Sequence, residues 1–122
     1  MSLLRIIAAA VAFFGAVDLA SAACTTARAR FMFQSDTVTS RIFTGSGEPC
    51  GWTFNTSATT VFEGLTISAQ PRNGRATMNG AFGFLYQSKP GFKGQDSFTL
   101  VIRGRSNAGP GSSTIRVNVT AN

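Results

Sequence analysis

The side chains best suited to chemistry in this chain are two cysteines, Cys24 and Cys50, and a set of arginines that includes Arg28, Arg30, Arg103, Arg105 and Arg116. Two thiols in an exported chain pair as a disulfide; this one would close a loop of about 26 residues and stabilise by about 2–4 kcal/mol. A second fate is open to Cys24, acylation as in bacterial lipoproteins. Those carry a large aliphatic residue three positions before the cysteine, where this chain has Ser21, so the residues favour the disulfide. Arginine contributes a planar, permanently charged fork that suits phosphate and carboxylate.

Other chemistries lack their residues. The chain has no histidine, which removes Ser-His-Asp and Cys-His catalysis and most zinc or copper sites. Glu48 and Glu63 fall in separate loops, and nothing in the sequence brings them together as a glycosidase pair. Gly45-Ser46-Gly47 reads as a turn, because no helix follows it to cradle a phosphate. Few and scattered acids argue against a calcium site. No catalytic, metal or cofactor residues are therefore expected, and binding or structural roles are left.

The chain begins as an export signal begins. Arg5 precedes an apolar run from Ile6 to Val17, Asp18 ends it, and Ala20-Ser21-Ala22 offers the small-x-small pattern of a signal peptidase site. The run is too short to span a bilayer. Residues 1–22 are thus expected to be a cleaved signal peptide and residues 23–122 one domain, periplasmic or extracellular, with no integral membrane segment after cleavage. The chain has 11 basic and 5 acidic residues and a net charge of +6. Arg5 and Asp18 leave together, so the excess stays with the domain. It favours anionic surfaces as partners, or serves solubility alone.

Two-residue alternation dominates the remainder and predicts an all-β fold. Apolar residues share one face in Ala29/Phe31/Phe33, Leu65/Ile67/Ala69, Phe98/Leu100/Ile102 and Ile115/Val117/Val119. Weaker strands are predicted at 37–44, 51–56, 75–79 and 81–87, giving seven to eight, mainly antiparallel. Asn73-Gly74 and Asn79-Gly80 have the residue types of tight hairpin turns. Many short strands between Gly/Pro turns predict a β-sandwich or small barrel. The nine phenylalanines after residue 22 fall mostly on inward faces and read as core, with a stacking platform as the alternative. Phe62, Phe92 and Trp52 lie out of phase with a clean strand face. Arg28 and Arg30 are expected on the outer face of one strand. Arg103, Arg105 and Arg116 form a cationic patch if the last two strands are neighbours, and a solvated sheet face is the bland alternative.

From Tyr86 to Phe98 the sequence Tyr-Gln-Ser-Lys-Pro-Gly-Phe-Lys-Gly-Gln-Asp-Ser-Phe resembles bacterial immunoglobulin-like and cadherin-like repeats, which carry Y-x-P followed by G-[FY]-x-G-x-D-x-F and a strand. Gln70–Ala76 is similar to their P-x-x-G turn, and Ser113–Val119 to their closing strand. The resemblance covers about residues 60 to 121 and implies an immunoglobulin-like β-sandwich. It makes Tyr86, Pro90, Gly91, Phe92, Gly94, Asp96 and Phe98 a structural loop motif in which Asp96 accepts backbone N–H groups. Two features depart from the family: its members usually occur in tandem, and the clustered acidic calcium ligands are missing here. The part containing Cys24 and Cys50 lies outside the resemblance. Together these features lead to the expectation of an exported, non-catalytic module with an envelope protein or glycan as partner. The alternative is a secreted binder of an anionic polymer such as lipopolysaccharide, acidic polysaccharide or nucleic acid, through the arginines.

Overall fold

The computed structural model describes residues 24–30, 33 and 37–122. The expected signal peptide, residues 1–22, lies outside them, as do Phe31, Met32 and Asp36. Eight strands form two sheets, and no helix occurs among the described residues. The larger sheet has the order β1 (Cys24–Ala27), β2 (Thr37–Thr44), β8 (Gly109–Ala121), β7 (Gly94–Ser106), β4 (Thr60–Ala69). The smaller has the order β3 (Cys50–Thr53), β6 (Gly83–Ser88), β5 (Gly74–Met78). All pairings are antiparallel except β2 with β8, which run parallel from Thr37↔Thr114 to Thr44↔Ala121. The architecture is the expected all-β sandwich.

Alternation fixes which residues enter the core. Phe98, Leu100 and Ile102 of β7 sit opposite Val117, Ile115 and Ser113 of β8, and all six are buried. Ile42 of β2 continues the layer beside Val119. Phe84 and Tyr86 of β6 and Ala76 of β5 close it from the smaller sheet. Each large side chain taken from water contributes about 1.5–3 kcal/mol, and a one-residue slip would turn the whole layer outward.

The N-terminal part of the domain differs from the expectation. The strand there is Cys24–Ala27, whereas Arg28, Ala29 and Arg30 have no regular structure and Phe33 lies in a turn. Two tethers explain the shift. Cys24 is disulfide-bonded to Cys50, with Cα atoms 5.4 Å apart, joining β1 of one sheet to β3 of the other. The Ala29 N–H donates to Ser40 Oγ at 2.9 Å instead of extending a ladder. The segment is thereby released to deliver Phe33 into the core, where the ring is 2% exposed. Phe33 packs where Gly104 and Gly111 face each other across β7 and β8. A Cβ at Gly111 would run into the Phe33 carbonyl, so this approach requires glycine.

Three smaller departures share a tertiary origin. Asn73-Gly74 is not a hairpin turn: the chain there passes from β4 in the larger sheet to β5 in the smaller. Asn79-Gly80 does lie in a hairpin connection, with Gly80 at φ 77°, but the loop runs to Phe82, which is left outside the strand. A register shift between Ile67 and Ala69 leaves Leu65 buried, Ile67 half-buried and Ala69 exposed.

Candidate functional site

The two ends of the sandwich are built from different materials. At one end lies the loop motif. Lys89-Pro90-Gly91-Phe92 is a turn closed by the Phe92 N–H donating to the Lys89 carbonyl at 3.0 Å, with Gly91 at φ 85°. Proline followed by a left-handed glycine is the type II pattern. Gly94, at φ 137°, lets the chain pass under the half-buried Phe92 into β7. Asp96 then accepts four hydrogen bonds. Oδ1 takes the N–H groups of Arg72 (3.1 Å) and Ser97 (2.9 Å); Oδ2 takes the Asn73 N–H (3.0 Å) and the Tyr86 hydroxyl (2.9 Å).

This carboxylate ties the β4–β5 crossover, β6 and the start of β7 to one point. Tyr86 is fully buried and stacks on Phe98 with centroids 5.8 Å apart. Burial pushes its phenol well above the ordinary tyrosine range, and Asp96 adds to this as hydrogen-bond acceptor and as negative charge. The Cys24–Cys50 disulfide closes the same end, since Cys50 is opposite Tyr86 and Cys24 opposite Thr44, which pairs with Ala121, itself opposite Gly94.

At the other end the 13-residue strands β7 and β8 run past the smaller sheet, whose strands have 4 to 6 residues. Aromatic rings cover the overhang. Phe62 lies 5.6 Å from Phe33, 5.5 Å from Phe54 and 6.4 Å from Phe82; Trp52 lies 6.0 Å from Phe54 and 4.7 Å from Phe84. Most of these rings meet edge to face, the arrangement their quadrupoles favour. They leave a cavity of about 510 Å3 whose lining includes Trp52, Phe54, Phe62, Thr60, Arg28 and Arg30. That volume is typical of small-molecule sites.

Arg28 and Arg30, placed by sequence on a strand face, stand instead at this cavity. The Arg28 guanidinium carbon is 5.6 Å from the centroid of the Trp52 ring, and its Nη1 donates weakly to the Thr53 carbonyl at 3.5 Å. Such a cation over an aromatic face contributes about 0.5–2 kcal/mol. Among the described residues, two buried side-chain polar atoms have no partner, Ser46 Oγ and Trp52 Nε1. An indole donor left without an acceptor costs about 1–3 kcal/mol, and Trp52 is a wall of the cavity.

The remaining arginines occupy the exposed face of the larger sheet. Arg103 and Arg105 are two residues apart on β7, and Arg116 is opposite Thr99 on β8, so all three share a face. Arg116 is four residues along the strand from Arg103, and Arg105 pairs with Glu63 at 3.3 Å. Arg41 of β2, not among the expected site residues, is diagonal to Arg116 on that face, because Arg116 is beside Thr39 and Arg41 beside Asn118. The structure thus divides the five arginines between two places, Arg28 and Arg30 at the cavity and Arg103, Arg105 and Arg116 on the sheet. Glu48 lies in the β2–β3 connection and Glu63 on β4 beside Arg105, so each has a separate setting.

Sequence reasoning missed the cavity, although Phe62 and Trp52, out of phase with the strands, are two of its walls. Comparison with protein-family models and with curated proteins finds no match for this chain.

Proposed function

We propose that this protein is an exported, non-catalytic immunoglobulin-like binding module of the periplasm or cell envelope, and that its binding site is the arginine-rimmed aromatic end. The observation that carries the proposal is the cavity of about 510 Å3 with Arg28 and Arg30 in its lining and no acidic residue among the described lining residues. The disulfide between Cys24 and Cys50 supports an oxidising compartment, and the motif from Tyr86 to Phe98 supports the family resemblance.

The experiment has two arms. The full chain is expressed in a bacterial host, fractionated, and its mass determined; a chain starting at residue 23 in the periplasm or medium is expected, and full-length chain in the cytoplasm contradicts export. The mature chain is then immobilised and exposed to envelope proteins and glycans. Retention that disappears in the Arg28→Glu/Arg30→Glu variant supports the site, and identical retention by both forms contradicts it.

A second reading is favoured by the shared face of Arg41, Arg103 and Arg116: an anionic polymer laid across the larger sheet. It predicts binding to lipopolysaccharide or nucleic acid that weakens steeply with salt. Binding that ignores salt, or survives Arg103→Gln/Arg116→Gln unchanged, removes it.

A further inference from the structure

We infer that the cavity takes a single-chain amphiphile, its apolar chain against Phe54 and Phe62 and its anionic head at Arg28 and Arg30. This rests on the reading of the chain as a binding module and adds the chemical class of the ligand. Two observations on different groups converge on it. Part of the wall is aromatic carbon: Trp52, Phe54 and Phe62 line the space beside polar groups such as Ser57 and Thr60, with Trp52 and Phe54 meeting edge to face and Phe54 and Phe62 tilted. The rim carries two positive charges that no described lining carboxylate neutralises. Arg28 lies over Trp52, and Arg30 is exposed and makes no hydrogen bond or ion pair among the described residues.

Apolar walls select a hydrocarbon body, and convergent polar groups at one end select and orient a charged head. Carboxylate and phosphate share the geometry that an arginine fork recognises, so the charge at the head defines the class and the probes separate the two sources.

The chain contains a single tryptophan, and that residue is Trp52. Its fluorescence is therefore a reporter placed in the site itself. The folded, oxidised mature protein is titrated with decanoate, decyl phosphate, decanol and acetate, each below its aggregation limit, and calorimetry repeats each titration independently of the fluorophore. Saturable binding of decanoate or decyl phosphate is expected, the tighter of the two naming the head group. Decanol, which has the chain without the charge, and acetate, which has the charge without the chain, should each bind at least about fivefold more weakly.

Arg30→Gln should weaken the charged probe by about fivefold while the melting curve stays that of the parent; Arg28→Gln should weaken it by a similar factor in calorimetry, where loss of the cation over Trp52 does not disturb the signal. Three results overturn the inference: no saturable binding of either charged probe, decanol binding as tightly as the charged probes, or unchanged affinity in both arginine variants. Each leaves the binding-module reading to its own test, retention of envelope components, so that the two fail separately.

Discussion

The two ends of this sandwich solve the same problem, closing a core between unequal sheets, by opposite means. At the Asp96 end the closure is directional: a carboxylate with four donors, a turn whose Pro90 and Gly91 match its backbone angles, and a disulfide across the sheets. At the Trp52 end it is made of rings in contact around a cavity lined in part by aromatic carbon, whereas the space of similar volume at the Asp96 end is lined by polar residues alone. Directional bonds hold one geometry. Aromatic contacts contribute stability over a range of geometries, so the second end can admit a guest without unfolding. Stability and binding are therefore expected to map to different ends.

That division can be broken from either side. The largest effect is expected from Phe98→Ala, which removes the ring between Tyr86 and Phe84 in a fully packed layer and should cost about 3–5 kcal/mol in urea unfolding. Replacing both cysteines by serine should cost about 2–4 kcal/mol, seen as an equal loss when the parent is reduced. Asp96→Asn should cost about 1–3 kcal/mol. An amide has one acceptor oxygen, so its NH2 must face two donors, and although the Tyr86 hydroxyl can rotate to accept, a backbone N–H cannot. An unchanged melting temperature would refute the clamp.

Tyr86 gives the same end a pH signature. Its phenol stays protonated in the folded protein above pH 10, where the unfolded chain ionises, so the folded state binds more protons and stability falls as pH rises past about 10. Below that pH both states are protonated and the contribution is complete. Tyr86→Phe should cost about 1 kcal/mol at neutral pH and flatten the alkaline fall measured by denaturant titration. The smallest effect belongs to the other end: Arg30→Gln should change stability by less than about 0.5 kcal/mol.

What could be read from the sequence follows the same division. The layers of β7 and β8, the extent of β2 and the cysteine pair were legible because alternation and turn residues are local signals, and two cysteines allow one intramolecular pairing. The loop motif was legible for the same reason, as Pro90, Gly91 and Gly94 announce a backbone shape. The strand at Cys24–Ala27 was not, because Arg28–Phe33 alternates as well and only the tethers at Cys50 and Ser40 decide against it. Nor was the cavity: it depends on Phe33, Phe54 and Phe62 meeting over the paired Gly104 and Gly111, contacts between remote segments. The one trace it left was aromatic residues out of phase with their strands. Arg41 was missed because its neighbour Arg116 is reached through a parallel pairing that no hairpin signals.

The most direct test of the division measures urea stability and decanoate affinity side by side in Asp96→Asn and Arg30→Gln. The expected result is a crossed pair: Asp96→Asn loses about 1–3 kcal/mol of stability and keeps its affinity, and Arg30→Gln keeps its stability and binds about fivefold more weakly. Asp96→Asn losing affinity while folded, or Arg30→Gln losing stability and affinity together, would contradict it.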